Sequence, residues 1–569
     1  MKLSVRLFCL WLALRAAAYT QSTVRVGLFT LFQDRQMSVA HGPGRDAWLR
    51  TCEGCTSETI HDTVNVQAAG NRVAYRNNFF SALWLSGGLI LGAHGEQLAM
   101  PYPLEIKARE GKLVLIATMP LESYVERVVA SESSSADSTE SLKALAVVVR
   151  SFALHVRHGH ADFDVCDSTH CQLLRWSGTG PGTGRGEAAH AAVLATAGET
   201  LWFHERRAEA WFHQNSGGHT ASPNEVWAAK AHGMPWLAGQ VDRHGVPIEW
   251  TSQISREELT GALAQAGLAK PGWVSLTVTA RGESGRAIRI RLDAVEISAE
   301  DFRLAVGRAL GWNRIPSTWF EVSRQGDEFL FRGRGHGHGV GLSQAGAAAM
   351  AEEGSNYEQI LAQYFPGART ADEASGASWQ SFAGHEVRLE TLDASDKIYL
   401  PQLNRAMQEA EQRSGLHGTS VVVRTFHSTE AFREGTLAPG WVAAFTEGNW
   451  IGVQPLNVLA QRNLLASVIR HEMLHALVES SAAGKTPLWL REGLVEVWNA
   501  DGDAHTSTGR VDAARVEEAL VHAQSEAESA KAHREAGVLA AQLLQRFGQA
   551  HVLDWLRQGL PAEAVNGLR

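Results

Sequence analysis

Two histidines four residues apart, with a glutamate directly after the first, are the residues most plainly arranged for chemistry: His471-Glu472-Met473-Leu474-His475. They sit in LLASVIRHEMLHALVES, whose apolar residues recur at helical spacing. Positions i and i+4 share one helix face, so His471 and His475 can hold the same metal ion. Glu472 lies one residue further round, where it can serve as a general base. Seventeen residues beyond His475, the segment WLREGLVEVW brings Glu492. Glu492 is a natural third ligand that leaves the fourth zinc position open. Glu496, one helical turn on, is the alternative third ligand.

A second ligand cluster lies in HADFDVCDSTHCQ, which offers His160, Cys166, His170 and Cys171 within twelve residues. Thiolate with imidazole is the set that zinc takes in a closed tetrahedral site, which staples a loop and performs no reaction. A Cys166–Cys171 disulfide is the rival reading, and His155 and His158 are alternatives for the first ligand. Further on, FRGRGHGHGVGLSQAGAAAMA alternates Gly with Arg or His between Gly333 and Gly341. No Lys-Ser or Lys-Thr follows where a phosphate loop needs it. These glycines read as the floor of a groove, with His338 pointing into it. Glu132, in VVASESSSADSTESLKALAVVVRSFALHV, is a carboxylic acid beside two apolar helical segments.

The elements that must carry these residues follow from periodicity. Residues 24–119 read as short strands broken by Gly and Asn, and 120–158 switch to helical spacing, with a helix start at Thr139-Glu140. Residues 270–332 return to strands, with a short helix near SAEDFRLAVGRALG. The small polar stretch 371–382 reads as a linker. Beyond it, 383–569 gives strands and then helices that include HEMLH. The expected fold class is α+β and multidomain, with a β-rich domain over 24–370 and an α+β domain over 383–569.

The 569 residues are 44% hydrophobic and 20% charged, with a net charge of −9 and no basic tract, which argues against nucleic acid as a partner. The N-terminus, MKLSVRLFCLWLALRAAAYTQS, has a charged start, a short apolar core and small residues at Ala16-Ala17-Ala18. It reads as a signal peptide over 1–18, so the expected location is exported, periplasmic or at the cell wall. No later segment reads as a transmembrane anchor. Cys52-Glu53-Gly54-Cys55 is a lone CxxC that an oxidising compartment would close as a small disulfide loop.

Several motifs together carry a family resemblance. PLESYVERVVASE, ESLKALAVVVRSFA, CDSTHCQ, WFHQNSGGHT, GHGVGLSQAGAAAMAEEG and ILAQYFPG occur in this order. They resemble the SpoIID family of sporulation proteins, including the LytB-type amidase enhancers, over most of residues 100–370. The resemblance implies a lytic transglycosylase acting on peptidoglycan glycan strands stripped of stem peptides. Glu132 matches the catalytic acid, and His160, Cys166, His170 and Cys171 match the zinc cluster. Arg150, Gln172, Ser216, Gly217, Gly218, Thr220, His338, Ser343 and Gln344 match groove residues. The chain departs from the family at Ser133-Ser134, where members commonly have Met-Pro, and at Leu145, where they have Gln. Separately, HExxH followed by W-L-x-E-G-L-x-E resembles gluzincin-type peptidases of the MA kind. That implies a zincin-like metallopeptidase domain with zinc on His471, His475 and Glu492, Glu472 as general base, and a wall peptide or protein as substrate. Two zinc ions per chain are expected, one in the HExxH site and one structural.

Overall fold

A computed structural model describes residues 22–565, apart from 33, 94–95, 135–136, 156–159, 177–182, 205, 228–233, 437, 439–441, 484–485, 501–510 and 524. The segment 1–18, expected to be a signal peptide, therefore lies outside the described residues. The chain forms two compact units that divide between Gly376 and Ala377. Both mix sheets with helices, in line with an α+β, multidomain class. Among the described residues no helix is long and apolar enough to cross a membrane.

The first unit opens with twelve strands between Thr23 and Pro120, arranged mainly in a seven-stranded and a six-stranded sheet. Alternation builds them: in Leu104–Arg109, for example, buried Leu104, Ile106 and Ala108 alternate with more exposed neighbours. The strand Thr23–Leu28 pairs antiparallel with Lys112–Pro120 on one side. On the other it pairs parallel with the two-residue strand Val165–Cys166, so the cysteine segment is stitched to the main sheet. Gly27 sits at that seam, where a Cβ would come within 2.6 Å of the Phe163 ring. The disulfide Cys52–Cys55 is formed.

Two helices follow. In Leu121–Glu132 the residues Leu121, Tyr124, Val125, Val128 and Val129 repeat at helical spacing and are buried. The helix ends where Ser133 turns extended and its N–H bonds back to the Val129 carbonyl. Thr139–His155 is buried on nearly every face from Leu142 to Leu154, so it runs through the core instead of along the surface.

Sequence periodicity did not show that Glu249–Arg334 is a folded insert with a core of its own. Two three-stranded sheets and the helices Arg256–Gln265 and Ala299–Leu310 close around Ile254, Leu259, Phe302, Phe320, Phe329 and Phe331. The stretch 371–382 is only partly connector. Arg369–Asp372 is a strand paired with Glu199–Phe203, and Gln380–Ala383 is the first strand of the second unit's sheet. That unit has a five-stranded sheet, with helices Leu400–Ser414, Leu465–Ser481, Leu488–Asn499 and Glu526–Phe547 sharing one core with it.

Candidate functional site

Glu132 is the last residue of its helix and is half-buried. Its Oε1 accepts a hydrogen bond from the Leu173 N–H at 3.0 Å, and its backbone carbonyl accepts one from Gln344 Nε2 at 3.2 Å. Next to it, Ser131 Oγ accepts from the Arg175 N–H at 2.8 Å. Burial pushes the Glu132 carboxyl up to about 7, against the Leu173 bond and the Arg175 charge, which work to lower it. A carboxyl close to half-protonated at neutral pH can give a proton and take one back.

The segment that touches Glu132 is anchored by the Cys/His cluster. His160, Cys166, His170 and Cys171 place four ligand atoms within 4.8 Å of one another. His160 Nε2 lies 3.2 Å from Cys171 Sγ, while His170 Nδ1 lies 3.8 Å from Cys166 Sγ and 3.6 Å from Cys171 Sγ. Neither Cys166 nor Cys171 is in a disulfide, so the rival pairing is not formed. Tetrahedral zinc with Zn–S of about 2.3 Å and Zn–N of about 2.0 Å sets its ligands roughly 3.3–3.8 Å apart, close to these three separations, while the whole set spans up to 4.8 Å. The hydrogen bond with Cys171 does most to hold the Cys166 thiol far below its ordinary range, so thiolate is available as a ligand. Among the described residues His160 is the histidine of that segment gathered with the cysteines, while His155 lies against Glu209 at 3.1 Å. Around the cluster, Phe163 packs on His160 and Asp167 accepts from Phe29 N–H at 2.6 Å. Gln172 follows directly and accepts from the buried Tyr124 hydroxyl at 2.9 Å.

The remaining predicted groove residues divide. Gln344, at the start of the helix that follows the glycine run, reaches the Glu132 backbone carbonyl. Ser216, Gly217 and Gly218 form a loop facing that run: Asn215 and His336 exchange backbone hydrogen bonds, and Gly335 and Gly217 approach so closely that a Cβ on either would meet backbone at about 3.0–3.1 Å. Both have positive φ. His338 is half-buried, with its ring packed by Trp227 and His213 and its Nδ1 accepting from the Val340 N–H at 3.0 Å. Burial pushes its imidazole down to about 4, so it is neutral at pH 7. Three others, buried like Gln172 and Ser216, are held by protein partners. Arg150 is 0% exposed and spends its guanidinium on both Glu122 oxygens, at 2.8 and 2.7 Å, and on the Glu199 carbonyl. Thr220 is buried and exchanges hydrogen bonds with the Gln240 backbone. Ser343 is buried and caps the helix Gln344–Glu352 through the Gly346 N–H. Each is a polar residue in a cohesive motif, and spacing alone does not distinguish a residue that shapes a site from one that touches a ligand.

In the second unit, His471 Nε2 and His475 Nε2 lie 3.0 Å apart on one face of Leu465–Ser481. Glu492, on Leu488–Asn499, brings Oε2 to 3.6 Å from His475 Nε2. Glu472 is buried and accepts from Thr446 Oγ1 at 2.5 Å; burial raises its carboxyl. Sequence spacing missed His533, whose Nε2 lies 3.2 Å from Glu492 Oε2. It comes from Glu526–Phe547, brought close because Gly493 lets the helices touch: a Cβ there would sit 2.3 Å from the Ala536 carbonyl oxygen. No local pattern marks His533, since the contact depends on a helix crossing. Burial works to raise the Glu492 carboxyl, but His475 and His533 outweigh it and hold it down near 2. Two imidazoles and a carboxylate suit zinc in kind. No second group of three or more His, Cys, Asp or Glu among the described residues gathers its ligand atoms as tightly as the first unit's cluster. Glu492 Oε2 thus lies between two imidazoles, those of His475 and His533.

Comparison with known proteins fits the first unit. Residues 109–203 match the SpoIID family model, described as stage II sporulation protein, and this span holds Glu132 and the whole Cys/His cluster. Residues 237–341 match a family described only as a domain of unknown function, which covers the insert. An uncharacterized protein of Brachyspira hyodysenteriae is 27% identical over 49% of this chain and 72% of its own length. Stage II sporulation protein D of Bacillus subtilis is 26% identical over 45% of this chain and 76% of its own length. The amidase enhancer of Bacillus subtilis is 25% identical over 42% of this chain, and the match spans only 39% of that relative. The two family matches end at residue 341.

Proposed function

We propose that the first unit is an exported lytic transglycosylase that cuts peptidoglycan glycan strands freed of stem peptides. The observation that carries this reading is the single carboxyl of Glu132, lifted to about 7 inside the span that matches SpoIID. Hydrolases commonly need two carboxyl groups, one for the leaving group and one for water or the nucleophile. One suffices when the nucleophile belongs to the substrate. Protonated Glu132 gives its proton to the glycosidic oxygen as the bond to C1 breaks. The carboxylate so formed takes the proton of the same sugar's 6-hydroxyl as that oxygen bonds to C1. The products are a new free hydroxyl and a 1,6-anhydro sugar, and Glu132 ends as it began.

His160, Cys166, His170 and Cys171 would hold a structural zinc that fixes the segment carrying Leu173. In the second unit His471, His475 and Glu492 would hold another, and zinc there supplies Lewis-acid chemistry when bound. Glu472, kept buried and hydrogen-bonded to Thr446, would accept a proton from a reacting group. A wall peptide or a protein partner is the substrate class this implies. A second reading draws on the likeness to a protein named amidase enhancer: the first unit grips glycan without cutting it and stimulates another hydrolase. Mass analysis of denuded strands after incubation separates the two. The lytic reading expects anhydro-ended fragments with the native chain and none with Glu132→Gln. Binding without fragments by both proteins would favour the enhancer.

A further inference from the structure

The insert Glu249–Arg334 reaches back to the two glycine loops through one side chain. Arg286 precedes the strand Ala287–Leu292 and is 0% exposed. Its Nη2 donates to the Ser216 carbonyl at 2.8 Å, and its Nη1 donates to the Gly337 carbonyl at 3.3 Å. It also fills the space beside Gly339, where a Cβ would fall 2.4 Å from its Nε. The two loops that flank the candidate groove, 215–220 and 335–341, are therefore tied by a guanidinium that belongs to neither. Glu225 adds a second tie, accepting from Ser284 N–H at 3.3 Å and from the Ser284 hydroxyl.

Arg286 differs from Arg150 in a way that bears on function. Arg150 is neutralised by Glu122 at 2.7 Å. Arg286 has carbonyl acceptors, no carboxylate within ion-pair distance among the described residues, and a buried Nε with no partner. Burying a guanidinium is costly, and here only the more distant charges of Glu300 and Glu225 offset that cost. Its planar fork, however, serves two carbonyls at once, which a lysine ammonium on its flexible stem does poorly.

We propose that the insert, which matches a domain of unknown function, is a brace for the glycan groove, and that Arg286 is its positioning residue. It reinforces, from outside both, the backbone bonds that join the Ser216–Gly218 loop to the His338 loop, and it makes no contact with the sugar itself. This rests on the glycan-cutting reading for its activity readout only.

The test uses the full chain with Arg286→Ala and Arg286→Lys, denuded glycan as substrate, and amide hydrogen exchange. A shift of about 1 Å in a positioned group can cost about 10²-fold, so kcat/KM for Arg286→Ala should fall by that order. Millimolar guanidinium should restore part of it, and Arg286→Lys should not recover it. Amides of 216–218 and 337–340 should lose protection while those of the Thr139–His155 helix keep it. Wild-type exchange in both loops of a folded variant would overturn the proposal, and so would a loss of protection spread evenly through the unit. If Arg286→Ala does not fold, the same loop amides are read in Arg286→Lys. If the native chain cuts no glycan, the glycan-cutting reading fails, and the exchange pattern still decides the brace.

Discussion

Replacing Glu132 by Gln should make the protein more stable at alkaline pH and leave it unchanged at acid pH. The side chain keeps its shape, and the amide oxygen can still accept from the Leu173 N–H. The variant removes a carboxyl that burial has lifted to about 7. Below about pH 4, both folded and unfolded chains carry it protonated, and the mutation changes little. As pH rises past the ordinary carboxylate range, the unfolded chain releases the proton and the folded chain retains it. The stability tied to that proton is lost progressively until pH passes about 7, and no further loss follows. At ~1.4 kcal/mol for each tenfold change in proton affinity, a lift from 4.5 to about 7 amounts to about 3 kcal/mol. Some of that is screened because the group is only half-buried, so 2–3 kcal/mol is the order expected. The assay is denaturant unfolding of native and Glu132→Gln chains from pH 4 to pH 9, following the first unit's transition. A stability difference that does not change with pH would refute the reasoning, because it would place the carboxyl in water.

Three further outcomes follow from the geometry. Metal analysis should find two zinc ions per chain, and Cys171→Ser should remove one of them while loosening the 171–175 segment beside Glu132. Arg150→Met should cost about 3–5 kcal/mol in chemical unfolding, because it leaves Glu122 buried without its partner. Gly493→Ala should destabilise the second unit by about 1–3 kcal/mol, since the added methyl meets the Ala536 carbonyl. The same change should weaken the His533–Glu492 contact, read as a shift in the His533 imidazole resonance.

What could be read from the chain before folding was mostly what is local. The β-rich lead, the helix start at Thr139, the face shared by His471 and His475 and the close set His160, Cys166, His170 and Cys171 each follow from spacing within one segment. What depends on crossing segments did not show. Arg150 sits inside a matching motif, yet its partner Glu122 is 28 residues away, and their pairing occupies its guanidinium. His533 meets Glu492 only because two helices touch at Gly493. The insert looked like a run of strands and a helix, because a sequence does not mark where one core closes and another resumes. Arg286 is the sharpest case: nothing around it in RGESGRAIRIRL suggests that it reaches two distant glycine loops.

In the proposed reaction one carboxyl and the substrate's own hydroxyl do the cutting, and digestion of denuded glycan in water enriched in oxygen-18 shows whether water takes part. New chain ends should carry no heavy oxygen and end in a 1,6-anhydro sugar, produced by the native chain and lost in Glu132→Gln. New reducing ends that carry the heavy isotope would show water as the nucleophile and contradict it.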